Sequence, residues 1–389
     1  MLNFIYHSPT KLIFGKGQLK QLTAELEPYR GKNVLLVYGK SSIKENGIYQ
    51  VILDVSKTLK INLFEASGIR ANPSLESVIS ARKTCVEHNI EFVLAAGGGS
   101  VVDAAKAICF SVFLDEPDIW HVFLREVAIT KALPLGVVLT LSGTGSECNG
   151  NTVITNDAIQ RKRGFGSPLL NPLFSIIDPS WSVTVPQDPF IASGMDVMMH
   201  VFEQYFSPTP HTETSDYMCV AILKSVMQSL TQIIHHDDTY DARANLSWAA
   251  TIGLNWILQQ GRIGDWSSHG FSYPITTLYG ITHGFALAMI QPSWMKIALT
   301  YNPDVMGRRL SFLGEEIFNL HDPSDVIEAI KKVYEGFGAK TSLLKAGISL
   351  TEKELKDMAR TVTELGDVGQ VVKINTDIAY EIFKDSASS

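Results

Sequence analysis

Asp196 and His200 stand four residues apart in an apolar segment with helical character, GMDVMMHVFEQY (residues 194–205). Positions i and i+4 of an α-helix share one face, so this carboxylate and this imidazole can bind the same partner. Both groups are common ligands of divalent metals. Because acid–histidine pairs with this spacing also occur in cores and on surfaces without a metal, the pair alone leaves both interpretations open.

His269 and His283 add two imidazoles from a second segment, residues 264–290, which has many small side chains and few charges. Together with Asp196 and His200 they form a candidate set of three nitrogens and one oxygen. Such a set suits Fe(II) or Zn(II), and the lack of a cysteine in it argues against a soft thiolate site. The chemistry this set predicts is that of a metal acting as a Lewis acid on an oxygen-containing substrate.

A competing cluster holds more potential ligands in a shorter stretch, IIHHDDTYD, which contains His235, His236, Asp237 and Asp238. Neighbouring residues on a helix point in different directions, so these side chains cannot easily converge on one ion. The stretch is also hydrophilic. We interpret it as the solvated end of a helix.

A glycine-rich turn lies in AAGGGSVVDAAK (residues 95–106), between a predicted strand and a predicted helix. Bare glycines let the backbone approach a pyrophosphate, and the free N–H groups at a helix start favour anionic oxygens. The spacing differs from the usual GxGxxG dinucleotide fingerprint. The turn therefore indicates a dinucleotide site, with a plain tight turn as the alternative.

Two further loops could line such a site. The segment VYGKSSIKENG (residues 37–47) offers Gly39, Lys40, Ser41 and Ser42 where an acidic residue would hydrogen-bond the adenosine ribose. This composition favours NADP over NAD, unless the loop is only solvated. The loop TLSGTGSECNG (residues 140–150) is crowded with hydroxyls and glycines, which suits a nucleotide or substrate wall but is also common in ordinary loops.

The elements that would position these residues change character along the chain. The first half alternates short β-branched runs with helical patterns, whereas long helical patterns dominate after residue 186, including a capping box at Thr351 and Glu354. We predict an α/β N-terminal doubly wound parallel-sheet domain (residues 1–185) and an all-α C-terminal domain (residues 186–389). The predicted strands are residues 33–39, 91–100, 133–140 and 173–179, and the predicted helices of the first half are residues 74–89 and 101–110.

Composition limits the classes of partner. The 389 residues carry a net charge of −7 and contain no run of Lys and Arg, which argues against a nucleic acid or an anionic membrane surface. The N-terminus lacks the features of a signal peptide, and no segment reaches about 18 unbroken apolar residues. The four scattered cysteines are expected to be free, buried thiols. We expect a cytoplasmic protein that acts on small molecules.

A series of motifs carries a family resemblance, in the order PTKLIFGKG, GGGSVVDAAK, GTGSE, DPSW, GMDVMMHVFEQY, DWSSH and YGITHG. Across its first 290 residues the chain resembles the iron-containing (group III) alcohol dehydrogenases, and within them the NADPH-dependent butanol dehydrogenase branch. The resemblance implies a dinucleotide-binding α/β domain and a helical metal-binding domain, an architecture similar to that of dehydroquinate synthase. It also implies a homodimer that interconverts a primary alcohol and an aldehyde.

The resemblance also assigns roles to residues. It implies that one divalent metal, Fe(II) or Zn(II), is bound by Asp196, His200, His269 and His283. It implies NADP(H) as the cofactor, with Gly98, Gly99 and Ser100 at the pyrophosphate. The other implied cofactor positions are Gly39, Ser41, Ser42, Asp103, Thr140, Thr144, Asn149 and Lys162.

One position departs from the family pattern. Members commonly carry another histidine four residues after the third ligand, where this chain has Tyr273, followed by Pro274. A tyrosine can donate a proton or hydrogen-bond a substrate oxygen, so we predict a proton relay or substrate contact for Tyr273. Nearby apolar residues, such as Trp266 and Phe271, favour a medium-chain or aromatic aldehyde over a polyol. A dehydroquinate synthase-like lyase and a non-catalytic nucleotide-binding relative are the alternatives.

Overall fold

The computed structural model describes residues 1–235 and 239–388. The chain divides into two compact units, one of residues 7–185 and one of residues 1–6 together with 186–389. The first is an α/β unit and the second is helical, which confirms the predicted fold class. The first six residues group with the helical unit, whereas the sequence analysis assigned them to the α/β domain.

The described part of the α/β unit contains one parallel sheet of six strands, in the order β1-β8-β5-β4-β2-β3, and a separate antiparallel hairpin, β6-β7. The predicted strands at β2, β4, β5 and β8 are confirmed; β3, β6 and β7 were not predicted. The strands are β1 (Lys11–Phe14), β2 (Asn33–Tyr38), β3 (Asn62–Ala66), β4 (Phe92–Gly98), β5 (Leu135–Leu141), β6 (Asn151–Asn156), β7 (Arg161–Gly166) and β8 (Phe174–Ile177).

Two apolar cores lie on the two faces of this sheet. Leu35 and Val37 of β2 face one core, while their neighbours Val34 and Leu36 face the other. Strands buried on both faces are typical of a parallel sheet covered by helices on each side. The helices of this unit are α1 (Leu22–Leu26), α2 (Ser42–Glu45), α3 (Ile48–Leu59), α4 (Leu75–Glu87), α5 (Gly99–Ser111) and α6 (Asp118–Phe123).

The parallel arrangement brings three loops to one edge of the sheet. β4 pairs with β2 on one side and with β5 on the other, both in parallel. The carboxyl ends of these strands therefore lie side by side, and ligands of such sheets bind at this edge. The loops that leave it are the three that the sequence singled out as a possible nucleotide site.

The helical unit is built around α11, which packs against α7, α10, α12, α13 and α15. The capping box at Thr351 and Glu354 is confirmed at the start of α14. The helices are α7 (Gln187–Tyr205), α8 (Glu213–Ile234), α9 (Tyr240–Leu254), α10 (Ser267–Tyr279), α11 (His283–Tyr301), α12 (Pro303–Leu313), α13 (Pro323–Gly336), α14 (Glu352–Val362) and α15 (Thr376–Ser388).

By length and composition alone, α8 could also cross a membrane, because an 18-residue window of it is long and apolar enough. In the structure 39% of that window is buried, and α8 packs against α7 and α9. Helices in the core of a globular unit share this composition with membrane spans. The expectation of a protein without a membrane partner stays a prediction.

Candidate metal and dinucleotide sites

Three helices of the helical unit bring the four predicted metal ligands together. α7 carries Asp196 and His200 one turn apart, His269 lies in the first turn of α10, and His283 is the first residue of α11. The exposed fraction is 4% for Asp196, 5% for His200 and 9% for His269. The carboxylate of Asp196 and the imidazoles of His200 and His269 are therefore shielded from water.

The ligand atoms converge on one carboxylate oxygen. The Nε2 atoms of His200, His269 and His283 each lie 3.7 Å from Asp196 Oδ1. These distances are too long for hydrogen bonds. Around an ion with bonds of about 2.1 Å, tetrahedral ligand atoms lie about 3.4 Å apart. The observed spacing is close to that of a four-ligand shell.

Hydrogen bonds on the far side of two imidazoles fix their orientation. His269 Nδ1 lies 2.8 Å from a carboxylate oxygen of Glu203, so Nδ1 carries the proton. Ser272 donates its hydroxyl proton to the His269 carbonyl and therefore accepts from His283 Nδ1 at 3.1 Å. In both rings Nε2 then faces Asp196, which is the orientation found in metal-bound histidines.

Two of the converging atoms fit a bound cation. Within the described residues, Asp196 Oδ1 and His269 Nε2 are buried without a hydrogen-bond partner. Leaving such groups unsatisfied costs stability, commonly about 1–3 kcal/mol each. A divalent cation between them would satisfy both atoms. The residues present therefore fit the metal that the sequence implies.

The buried acid and imidazoles of the cluster shift each other's pKa values. Burial alone would raise the pKa of Asp196, but charge on His200, His283 and His269 holds this pKa below its ordinary value. Burial alone would lower the pKa of His269, yet Asp196 and Glu203 raise it to about 9. A metal must displace this proton, so acid is expected to weaken metal binding.

Glu203, Ser272 and Asp265 are site residues that the sequence analysis missed. Glu203 follows His200 by three positions and Ser272 follows His269 by three, so the helical period was a usable signal for both. Asp265 accepts hydrogen bonds from the backbone N–H groups of Gln370 and Val371, both at 2.8 Å, and ties the loop before His269 to a distant segment. No local pattern reveals that contact. Burial, and then the charge of Glu203, raises the pKa of Asp265 to about 6.

Tyr273 lies beside the metal ligands. Its ring centroid is 6.1 Å from that of His283, with 26° between the ring planes, and the residue is half-buried. This places the phenol next to the cluster. The predicted role as proton relay or substrate contact stays a prediction.

The glycine turn of the α/β unit joins β4 to α5 at Gly98 and Gly99. A Cβ atom on Gly99 would lie 2.2 Å from Thr144 Oγ1, and one on Gly97 would lie 2.6 Å from Val101 Cγ2. Gly98 has φ −83°, so the turn needs space and not a left-handed backbone. Ser100 follows in the half-exposed first turn of α5, where free N–H groups can bind an anion.

The loop after β5 holds the next group of predicted cofactor residues. Thr140 is the half-buried penultimate residue of β5, and Thr144 packs against Gly99. Asn149 has 0% exposure; its amide donates to the Gly145 carbonyl at 2.8 Å and accepts from a backbone N–H at 2.8 Å. In this arrangement the Asn149 side chain shapes the loop and offers no surface to a ligand. Its predicted cofactor contact stays a prediction.

Asp103 and Lys162 are both tied to neighbouring loops. Asp103 Oδ1 accepts a hydrogen bond of 2.7 Å from Ser146, and burial raises the Asp103 pKa to about 6 although the charge of Lys106 opposes the change. Lys162 is 8% exposed, and its ammonium donates to Asn72 Oδ1 at 2.8 Å. Asn72 was not predicted.

The loop after β2 keeps the composition that favours NADP. Ser41 and Ser42 are exposed, and Gly39 is half-buried at the end of the strand. The nearby acid Glu65 accepts hydrogen bonds from Tyr38 at 2.6 Å and from Tyr49 at 2.7 Å. These hydrogen bonds fix the carboxylate of Glu65 against the two tyrosine hydroxyls.

The competing cluster is described only in part. His235 is exposed and caps the end of α8, as the sequence predicted for the start of that stretch. His236, Asp237 and Asp238 lie outside the described residues.

Two family models match the chain. Residues 9–179 match the model described as iron-containing alcohol dehydrogenase. Residues 190–387 match the model described as Fe-containing alcohol dehydrogenase family, C-terminal. Together these models cover most of both units.

Individual relatives span the whole length. Probable NADH-dependent butanol dehydrogenase 2 of Bacillus subtilis (strain 168) is 40% identical, over 99% of this chain and 100% of that protein. NADPH-dependent aldehyde reductase YqhD of Escherichia coli (strain K12) is 30% identical, over 99% of each. The crystal structure of NADH-dependent butanol dehydrogenase A from Thermotoga maritima matches with a TM-score of 0.93 and 36% identity, over 100% of this chain and 99% of that chain. The chain belongs to the iron-containing alcohol dehydrogenase family.

Proposed function

We propose that this protein is a metal-dependent alcohol dehydrogenase or aldehyde reductase that transfers hydride between NADP(H) and a primary alcohol or aldehyde. The observation that carries the proposal is the convergence of three Nε2 atoms on Asp196 Oδ1, with the Nδ1 protons of His269 and His283 bound elsewhere. Fe(II) and Zn(II) both suit three nitrogens and one oxygen. When bound, such an ion supplies Lewis acidity that polarises a carbonyl or lowers the pKa of an alcohol.

The chain's own residues prepare that centre. Glu203 and Ser272 hold the rings of His269 and His283 with their Nε2 atoms towards Asp196, so ligand geometry is set before substrate arrives. Burial of the ligands lowers the local dielectric and strengthens charge interactions there. Burial also limits the access of water to the ligand atoms.

We propose Tyr273 as the group that relays a proton to or from the substrate oxygen, because its phenol lies beside His283. A Tyr273→Phe enzyme is expected to keep its metal content and its KM for the nucleotide, while kcat falls by about 100-fold, as is typical when a general acid is removed. Steady-state kinetics and metal analysis check this. Unchanged turnover would leave the proton transfer to water alone.

We propose NADP(H) as the preferred nucleotide, although the relatives carry both NADH and NADPH in their names. The loop after β2 presents exposed serines and lysines, and a 2′-phosphate gains charge-assisted hydrogen bonds from such groups. The expected kcat/KM is at least about tenfold higher with NADPH than with NADH.

A Gly39→Asp variant provides the matched test of this preference. A Cβ atom at Gly39 would make only ordinary contacts, 3.4 Å from the Ile69 carbonyl, so the fold should tolerate it. The new carboxylate would repel a 2′-phosphate and accept a ribose hydroxyl, which should move the preference towards NADH. A wild-type enzyme that favours NADH would refute the proposed preference.

We propose a cytoplasmic homodimer acting on small aldehydes or alcohols. β1 is an edge strand of the sheet, and unpaired strand edges readily pair with another chain. Light scattering of the purified protein checks the assembly: a monomeric mass would refute the dimer.

A further inference from the structure

Lys106 is a fully buried lysine in the middle of α5, with 0% exposure. Lysine is rarely buried to this extent unless it is paired. Its ammonium donates to Ser146 O at 2.5 Å, Ser146 Oγ at 2.8 Å, Asn151 O at 2.8 Å and Asn149 Oδ1 at 3.3 Å. All these acceptors belong to residues 146–151, which form the end of the loop after β5 and the start of β6.

Lys106 extends a face of α5 that already carries the candidate pyrophosphate turn. Gly99, Asp103 and Lys106 are spaced i, i+4 and i+7, so they share one face of the helix. Gly99 packs against Thr144, and Asp103 accepts a hydrogen bond from Ser146. The loop after β5 therefore contacts this face of α5 along the first eight residues of the helix.

The ammonium is a shared donor for several acceptors of one loop. Burial lowers the pKa of Lys106 to about 8, although the charge of Asp103 opposes the change. Without the ammonium, the carbonyls of the buried Ser146 and the half-buried Asn151 would each lose a donor. Leaving such acceptors unsatisfied is costly, so the loop would be expected to move away from α5.

We propose that Lys106 is a positioning residue of the dinucleotide site, holding the loop of residues 144–151 against α5 so that Thr144 stays beside the anion-binding turn. The inference rests on the proposed function, with the pyrophosphate placed at Gly98, Gly99 and Ser100 as the family resemblance implies. Lys106 itself is buried and acts through Ser146 and Asn151. Loss of the Lys106 ammonium should therefore weaken binding of the pyrophosphate and leave binding of the rest of the nucleotide unchanged.

The test compares wild-type enzyme, loaded with metal, with Lys106→Met, whose apolar side chain has a similar length but donates no hydrogen bond. Dissociation constants are measured by calorimetry for NADPH, ADP and adenosine 2′-phosphate, at a temperature where circular dichroism shows both proteins folded. The variant is expected to bind NADPH and ADP at least about tenfold more weakly, which is the loss expected for a buried hydrogen-bonded group. Its affinity for adenosine 2′-phosphate, which lacks the pyrophosphate, and its metal content should stay within twofold of wild type.

Lys83→Met is the matched control, because Lys83 is an exposed lysine on α4 that loses the same charge. It should bind all three ligands like wild type. A folded Lys106→Met enzyme with wild-type affinity for ADP would overturn the inference, as would an equal loss for all three ligands. Failure of the wild-type enzyme to bind NADPH or ADP would instead refute the proposed dinucleotide site.

Discussion

An Asp196→Ala enzyme is expected to lose its metal and more than about 100-fold of its kcat/KM, because even outer partners of metal ligands are typically worth 10–100-fold. Asp196 supplies the single anionic ligand and the oxygen on which three Nε2 atoms converge at 3.7 Å. Removing it leaves only neutral nitrogens to balance a divalent charge. Metal content by mass spectrometry and initial rates with an aldehyde check the result.

The fold should survive this change, which separates a metal ligand from a structural residue. Asp196 Oδ1 has no hydrogen-bond partner among the described residues, so alanine removes an unsatisfied buried atom. Added metal should raise the melting temperature of wild type but not of the variant. Asp188→Ala, which removes an exposed acid from the first turn of the same helix, is the control and should behave like wild type. An Asp196→Ala enzyme that keeps its metal would contradict this assignment.

Gly284→Ala is expected to have the second large effect, through the backbone that carries His283. A Cβ atom at this position would lie 1.9 Å from the Ala192 carbonyl oxygen and 3.2 Å from the backbone nitrogen of Asp196. These atoms belong to the backbone of α7 and cannot rotate away, so the start of α11 must shift. We expect a destabilisation of about 3 kcal/mol or more, the upper range for overpacking a core. The shift should also move His283 away from Asp196 and weaken metal binding.

Denaturant unfolding and metal titration measure both consequences. Gly307→Ala is the matched control, since Gly307 lies within helix α12 and a Cβ there would meet nothing within 4 Å. Alanine is the better helix former, so this control should be neutral or stabilised by about 1 kcal/mol. Equal stability of the two variants would show that the α7–α11 contact tolerates a side chain.

The sequence predicts those parts of the molecule in which neighbouring residues along one strand or one helix form a regular pattern. The segment NVLLVY predicts β2 because residues 34–38 form a continuous apolar run, and the structure buries both faces of this run. Asp196 and His200 share a helix face by spacing alone. For His269 and His283 the spacing gave no such guide, and their place beside Asp196 was implied by the family resemblance.

Contacts between distant segments lay beyond the sequence argument. Asp265 meets Gln370 across more than a hundred residues, and nothing in either neighbourhood marks the other. The hydrogen bonds of the Asn149 side chain to the backbone of Gly145 and Asn151 likewise depend on the path of the loop and not on residue type. The hairpin of β6 and β7 was also missed, because β6 begins and ends with asparagine and β7 contains three charged residues and two glycines, which are poor strand formers.

The most direct measurement of the central claim is absorbance in the reduced-nicotinamide band while the enzyme acts on butanal. NADPH oxidation should proceed with the enzyme as purified, stop after chelation, and return when Fe(II) or Zn(II) is added, with Asp196→Ala inactive throughout. Metal analysis of each sample shows whether the rate follows occupancy. Oxidation that continues at full rate in protein shown to be free of metal would contradict a reaction that depends on the Asp196 cluster.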